Sequence, residues 1–270
     1  MNDIFRFRIA MQIIKDYKKT TIILSILFMI LVAMYAGMYP SFKESLEEMT
    51  SSGVFDDFTQ FFGPAASDMA TYIGFVNLEL YQIFWIVILG ILLDFIAASQ
   101  ISKEIEGKTI DILMSNPVSR KQIVFEKFIG LIPFMLIINV ATMFSVMGIT
   151  VAIVENLNFG YLFITHLVSI PYVLAIFAIG ILISVIIDEK MKASIFFIGT
   201  LMGMYVIDMV SKTSTDYEWI GYASIIHYID LYDALKFGKV DVSGVFVLFS
   251  VIVICLIIAM IYFEHKDITV

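Results

Sequence analysis

The chain has 270 residues, of which 60% are hydrophobic and only 16% are charged. Soluble domains are about 45–50% apolar and about 25% charged, so this composition excludes an ordinary soluble protein and predicts an all-α integral membrane protein with a single transmembrane domain over 1–270. The single cysteine, Cys255, excludes a metal site or disulfide framework built on cysteine.

The first 19 residues predict an amphipathic helix that lies along a membrane surface. On a helical wheel Ala10, Ile13 and Tyr17 gather on one side, and Arg8 and Lys15 lie on the other. A basic amphipathic helix of this kind suits the headgroup layer. The alternative is a polar flank that only follows the positive-inside rule.

Six apolar runs are long enough to cross a bilayer, which takes roughly 20 residues of helix. The third and fourth each contain a proline, Pro133 and Pro171, which can kink a helix. The six predicted spans are 20–38, 81–98, 128–154, 161–187, 193–210 and 242–263.

The distribution of lysine and arginine predicts the orientation of these spans. Five basic residues precede the first span, five lie between the second and third, two lie between the fourth and fifth, and one follows the sixth. Thus 13 of the 17 basic residues fall on one side. We expect this side to be cytoplasmic, with both termini inside.

The two long segments on the opposite side, 41–80 and 211–241, are predicted to be extracellular. The first is acidic. The second is rich in aromatic residues such as Tyr217, Trp219 and Tyr222, which favour the headgroup interface. It predicts short outer-leaflet helices before the sixth span, and the alternative is an ordinary loop anchored by aromatic residues.

The longest strongly polar stretch, 99–127, raises the question of nucleotide binding. Its Gly107-Lys108-Thr109 has the form of the end of a phosphate-binding loop. That loop needs G-x-x-x-x-G-K-[ST] between a strand and a helix, but Ser102 stands at the first glycine position and a membrane span precedes it. We therefore expect no ATP site in this chain.

The same stretch has the periodicity of a short helix. Ile110, Leu113 and Met114 recur at i, i+3 and i+4, which predicts one apolar face after Gly107. The residue before a proline disfavours helix, so this helix should end before Pro117. Ser119 is placed to cap the next helix, with Gln122 completing a capping box.

The run EIEGKTIDILMSNPVSRKQIVFEK, residues 104–127, resembles the cytoplasmic segment of permeases of type-2 ABC exporters. In that family an acidic residue, a Gly-x-Thr or Gly-Thr step, a leucine and a Pro-x-x-Arg recur between the second and third spans. Lys127 also matches, whereas Lys108 is a departure from the commonest form. The resemblance covers nearly the whole chain, including the six spans and the aromatic segment before the sixth; His227 to Asp241 also resembles the end of that segment.

The resemblance implies a permease without ATPase machinery. A separate cytosolic ABC ATPase subunit would bind ATP and Mg, so no cofactor and no catalytic residue are expected in this chain. A second permease copy, as homodimer or paired permease, and membrane lipids would be its other partners, and no nucleic acid is expected. The residues implied in coupling to the ATPase are Glu104, Glu106, Gly107, Thr109, Leu113, Met114, Pro117 and Arg120.

Polar residues within the predicted spans are candidates for the translocation path or for gating. They are Asp94, Asn139 and His166, because polar groups in hydrocarbon are costly and often functional. The alternative is a hydrogen-bonded group that faces the bundle. Asp208 is close enough to Lys212 for an i, i+4 pair at the interface.

Gly199 and Gly203 in the fifth span are separated by three residues, a spacing that permits close helix packing within or between protomers. The scattered histidines exclude a zinc protease of the H-E-x-x-H type, and no metal site is expected. The function predicted is ATP-driven outward transport of amphipathic or lipophilic cargo, such as lipid, peptide or drug, by a multi-pass protein of the plasma membrane. An ion-coupled secondary transporter and a non-transporting immunity or scaffold protein remain alternatives.

Overall fold

The computed structural model describes residues 7–53, 59, 64–114 and 118–267, and these residues form helices, turns and links with no strand among them. Six helical stretches are long and apolar enough to cross a membrane, which confirms the predicted all-α class and number of spans. In chain order the helices are α1 (Arg8–Ser51), α2 (Pro64–Ser67), α3 (Tyr72–Val76), a π-helix (Asn77–Leu89), α4 (Gly90–Ala97), α5 (Ser102–Glu106), α6 (Ile110–Met114), α7 (Arg120–Ala152), α8 (Phe159–Ile186), α9 (Lys190–Thr213), α10 (Glu218–Gly221), α11 (Leu231–Phe237) and α12 (Val242–His265).

The segments predicted on opposite sides of the membrane lie at opposite ends of the bundle. At one end, here called the basic end, the start of α1, the 102–127 segment, the α8–α9 link and the end of α12 are joined by hydrogen bonds. At the other, the acidic end, Lys43 pairs with Glu155 and Asp68 pairs with Lys236. The alternation inferred from lysine and arginine is therefore present in the structure.

Helix α8 lies at the centre of the bundle. It contacts α4, α7, α11 and α12, and 72% of its most apolar window is buried. The corresponding share is 28% for α1, α9 and α12, which lie at the periphery. The exposed side of these outer helices carries large apolar residues such as Ile23, Ile195 and Val253, as expected for surfaces that face lipid.

The separate interfacial helix predicted over 1–19 is not what the structure shows. Residues 1–6 lie outside the described residues, and residues from Arg8 onward run without a break into the first span as one 44-residue helix. The reason is tertiary packing against α7. The carboxylate of Glu126 accepts hydrogen bonds from Ile9 N (2.8 Å) and Ala10 N (3.3 Å), and Gly130 lets the Ala10 backbone approach α7.

The second span begins at Tyr72, nine residues before its predicted start at position 81. This part is the end of the predicted acidic segment 41–80, to which Glu79 belongs. Asn77 is nevertheless completely buried, and its side-chain oxygen accepts a hydrogen bond from Gln82. A π-helix bonds residues five apart, so Asn77 and Gln82 lie on one face. The acidic end is thus less loop-like than predicted, because α1 also continues to Ser51.

Helix α7 begins at Arg120, eight residues before the predicted start of the third span at position 128, whereas α8, α9 and α12 lie within a few residues of their predicted positions. Helices α7 and α8 continue past Pro133 and Pro171. Ser119 caps α7 as predicted by accepting from Gln122 N at 3.1 Å. The reciprocal half of the capping box is absent, because Gln122 Nε2 donates to Glu126 Oε1 at 2.7 Å instead. Before α12 the chain forms α10, α11 and two 3₁₀ turns, so short helices do occupy the predicted aromatic segment.

Candidate functional site

The polar segment between the second and third spans is a compact helix–turn–helix at the basic end. Helix α5 ends in a turn in which Thr109 N bonds to Glu104 O at 2.9 Å and Lys108 N bonds to Ile105 O at 3.0 Å. This is the Schellman pattern of helix termination. Lys108 takes the left-handed conformation, with φ of 53°, that glycine usually takes at this position. Lys108, which departs from the commonest form of the family motif, is therefore the left-handed residue that terminates helix α5.

A buried ion pair fixes this segment to the third span. Lys127 Nζ bonds Glu104 Oε1, and the Lys127 side chain is only 3% exposed. Glu104 is 19% exposed, and its second oxygen has no hydrogen-bond partner among the described residues. Isolated charges are costly in a low-dielectric interior, so each partner is held in place by the other. The pair joins two of the residues that matched the family pattern.

Two further contacts fix the same segment to other spans. Glu106 Oε2 accepts from Lys190 N at 2.9 Å and so caps the first turn of α9, which has no cap from its own N-cap side chain. Ser184 Oγ in α8 accepts from Ile101 N (2.7 Å) and Ser102 N (3.0 Å). Three spans, α7, α8 and α9, are therefore connected to the segment by hydrogen bonds.

The predicted apolar face of α6 is turned inward. Ile110 is completely buried, and Leu113 and Met114 are half-buried against the hydrophobic core of this chain. The outward surface is instead a short polar ridge. Its exposed residues are Glu106, Gly107, Lys108, Thr109 and Asp111. Pro117, predicted to end this helix, lies outside the described residues.

Arg120 joins the third span to the last one. Its guanidinium donates to the carbonyls of Phe263 (3.1 Å) and Lys266 at the end of α12. Cations are favourable at helix C-termini, where carbonyls lack partners within the helix. Lys266 in turn donates to the carbonyls of Val185 and Ile186 at the end of α8. Arg120 therefore braces helix ends within this chain.

Asn139 and His166 belong to one buried polar network in the middle of the bundle. His166 Nδ1 lies 3.2 Å from Asn139 Oδ1, and its Nε2 lies 3.0 Å from Tyr81 Oη. Asn139 Nδ2 donates to Ser169 Oγ at 2.9 Å and to His166 O at 3.2 Å. A neutral imidazole that donates from Nδ1 and accepts at Nε2 satisfies every group. Both side chains are therefore hydrogen-bonded within the bundle interior, and their part in translocation or gating stays a prediction.

Asp94 is placed differently from these two residues. It is completely buried in α4, and neither carboxylate oxygen has a hydrogen-bond partner among the described residues. Asp208 at the acidic end does form the predicted pair, with Lys212 Nζ 2.6 Å from Oδ2. Asp94 is thus a buried intramembrane acid whose carboxyl group has no hydrogen-bond partner in the described part of the chain.

Gly199 and Gly203 do not pack against another helix in the described part of the chain. A Cβ atom added at either would meet no heavy atom of the described structure within 4 Å. Close packing occurs instead at Gly180, where a Cβ would lie 2.6 Å from Ala97 Cβ, and at Gly90, where it would lie 2.9 Å from Leu201 Cδ2. Packing of Gly199 and Gly203 between protomers stays a prediction.

Sequence reasoning missed three residues that complete the basic end: Glu126, Ser184 and Lys266. Glu126 is 2% exposed and Ser184 is completely buried, and both bond backbone N–H groups of distant segments. The only signal for Glu126 was an acid next to Lys127 inside an apolar run. Its two backbone partners in α1 are 116 and 117 positions away, so no local pattern identifies them.

The fold and this site define a multi-pass membrane protein with a polar element that is braced to several spans at one end. Comparison with protein families identifies it further: the family described as ABC-2 family transporter protein matches residues 12–268. The chain belongs to that family and is a membrane permease of an ABC transporter. The family implies a partner ATPase subunit and a typical location in the plasma membrane. A comparison with curated proteins gives no match.

Proposed function

We propose that this permease exports amphipathic or lipophilic cargo, driven by a separate cytosolic ATPase subunit that binds ATP and Mg. The basic end faces the cytoplasm in this proposal, as the positive-inside rule predicts. Two permease chains, identical or paired, form the membrane part together with surrounding lipid. The predominantly apolar spans favour cargo of low polarity.

The observation that carries the proposal is the exposed polar ridge of 106–111, which is braced to three spans. Glu104 and Glu106 hold α7 and α9, while Ser184 holds the start of α5. A protein that pulls or pushes on the ridge therefore acts directly on the ends of the membrane helices. Shifting a two-state equilibrium needs only a difference of a few kcal/mol in affinity for the two states.

The ridge predicts which substitutions will uncouple the ATPase. Leu113→Asp and Met114→Asp are poor probes, because both side chains pack on the core of this chain. Lys108→Glu and Asp111→Lys change exposed charges and leave the braces in place. We expect the double variant to lose co-purification with the ATPase subunit and cargo-stimulated ATP hydrolysis.

Lys239→Glu is the matched control, because Lys239 is exposed at the acidic end. It should retain both properties. Full coupling in the Lys108→Glu/Asp111→Lys variant would contradict the assignment of the ridge as the docking element. Cargo movement by the purified chain without an ATPase subunit would favour an ion-coupled transporter instead.

We further propose that Asp94 contributes to cargo passage or gating. Its burial and its uncompensated carboxylate mean that another conformation, a second permease copy or cargo must supply its partner, unless it carries a proton. Asp94→Asn should preserve folding and ATPase binding but alter transport. Unchanged transport in this variant would assign Asp94 to the structure alone.

A further inference from the structure

A cavity of about 180 Å³ opens at the acidic end, far from the polar ridge. It lies between the π-helix of the second span, the end of α9 and the segment that precedes α12. Its polar lining includes Asn77, Asp208, Lys212, His227, Asp230 and Asp233. An apolar cavity of about 150 Å³ accommodates benzene, so this volume suits a small organic group.

Two buried side chains of this lining carry polar atoms with no hydrogen-bond partner among the described residues. Asn77 is completely buried and its Nδ2 donor is unpaired, although its Oδ1 accepts from Gln82. Asp208 is 3% exposed and its Oδ1 acceptor is unpaired, whereas Oδ2 binds Lys212. Unpaired buried polar groups cost about 1–3 kcal/mol each. The half-buried His227 adds a third unpaired atom, Nδ1, so the lining holds unpaired polar atoms on Asn77, Asp208 and His227.

The charges around the cavity favour a cation. Three aspartates, Asp208, Asp230 and Asp233, line the cavity together with one lysine and one histidine. His227 Nδ1 lies 3.7 Å from Asp208 Oδ1, too far for a hydrogen bond. Tyr205 adds an aromatic wall that suits an organic cation.

A metal ion is a poorer occupant than an organic cation. Within the ranges 7–53, 64–114 and 118–267, no three His, Cys, Asp or Glu side chains come together closely enough to hold one. Calcium takes six to eight oxygen ligands. A ligand with N–H donors and an oxygen acceptor matches the open groups of Asp208 and Asn77 more closely.

We propose that this cavity binds a primary ammonium group with a neighbouring oxygen acceptor, as in an amino alcohol. The ammonium donates to Asp208 Oδ1, and the neighbouring oxygen accepts from Asn77 Nδ2. Such a group occurs in small free amines and in phospholipid headgroups, and the chemistry recognised is the same. The site is independent of ATPase coupling and of the direction of transport.

The test uses the full chain in phosphatidylcholine nanodiscs at neutral pH, with ethanolamine as the probe and the unfolding temperature as the readout. Ethanolamine should raise the unfolding temperature saturably. Choline, which has no N–H donor, and ethylamine, which has no oxygen acceptor, should each require at least about tenfold higher concentration. An equal shift with all three compounds would indicate an ionic effect and would overturn the proposal, as would no shift at all.

Two variants locate the site. Asp208→Asn should abolish the ethanolamine shift, whereas Asp216→Asn, at an exposed acid outside the cavity, should keep it. Asp208→Asn also removes the ion pair with Lys212; if this variant does not fold, Asn77→Ala provides the test. Without the Asn77 donor, ethanolamine and ethylamine should bind this variant equally well. A shift unchanged in Asn77→Ala would refute the assignment.

The source of the ammonium group is resolved by repeating the titration in phosphatidylethanolamine nanodiscs. If free ethanolamine no longer raises the unfolding temperature in these discs, the proposal is supported with a lipid headgroup as the natural occupant. Retention of the shift supports it with a free amine. In either case wild-type coupling to the ATPase is measured separately, so failure of this site does not bear on the proposed transport function.

Discussion

Replacing Lys127 by methionine should destabilise the permease by about 3 kcal/mol. The substitution keeps most of the apolar stem but leaves Glu104 with an uncompensated charge in a largely buried place. Breaking a buried ion pair from one side costs about 3–5 kcal/mol, and the 19% exposure of Glu104 places this case at the lower end. For proteins of roughly this size, 1 kcal/mol corresponds to about 2–4 °C, so the unfolding temperature should fall by about 6–12 °C.

The measurement is thermal unfolding of the purified chain in detergent, with a double variant as the decisive comparison. Lys127→Met combined with Glu104→Leu removes both charges, and replacing a whole buried pair by apolar residues is often neutral or stabilising. The double variant should therefore recover most of the lost stability. Lys192→Met is the matched control, because its pair with Glu189 is 68% and 56% exposed and should matter by less than about 1 kcal/mol.

Two results would refute this reasoning. One is a loss of stability in Lys127→Met that is no larger than the loss in Lys192→Met. The other is a double variant whose loss of stability equals the sum of the losses in Lys127→Met and Glu104→Leu. The double variant also separates two roles of Glu104. Its carboxylate points at Lys127 and not at the exposed ridge, so we expect the double variant to keep its ATPase subunit on purification.

Substitutions at four further positions test the packing at other places. Glu126→Ala should lower the free energy of unfolding by about 2 kcal/mol, since charge-assisted hydrogen bonds to the start of α1 are lost, and Glu126→Gln should lose less. Gly180→Ala should lower the free energy of unfolding by about 1–3 kcal/mol, because the added Cβ overlaps Ala97. Gly199→Ala should be neutral or slightly stabilising in the single chain, because the added Cβ meets no neighbour. A loss of permease pairing in Gly199→Ala would place that glycine between protomers. Val154→Gly should stabilise by about 0.5–1 kcal/mol, since its φ of 60° is strained for a β-branched residue that is 87% exposed. All of these stability changes are read by denaturant or thermal unfolding, and destabilisation by Val154→Gly would show that the left-handed turn is not strained.

The number and order of the spans could be predicted because apolar length alone sets them. Spans three to six were placed within a few residues of α7, α8, α9 and α12, apart from the start of α7. The second span was begun too late because Asn77 and Glu79 are polar, yet the bundle buries Asn77 completely. The mean hydropathy of a stretch of residues reflects the free energy of transfer into lipid. It does not account for hydrogen bonds within the bundle, such as the one that Gln82 donates to Asn77.

Periodicity found the helix at α6 but not the direction in which its apolar face points. The spacing of Ile110 and Met114 is the same whether the face docks on a partner or on the chain itself, and the structure shows the second. Glycine spacing failed in a similar way. Gly199 and Gly203 have the expected separation but face outward, while Gly180, with no such partner in sequence, provides the close contact.

The contacts that make the basic end a unit all join residues that are distant in sequence. Glu104 holds Lys127, Glu106 caps Lys190, and Ser184 binds the start of α5. Two of these three contacts end on backbone N–H groups at helix starts, where no intrahelical partner competes for the donor. Moving the ridge without moving α8 and α9 would leave the buried N–H groups of Ile101 and Ser102 unpaired, at about 1–3 kcal/mol for each, and would release the exposed Lys190 N–H to water. That cost is comparable to the free energy needed to shift a conformational equilibrium, so we expect the three helix ends to move with the ridge as one body.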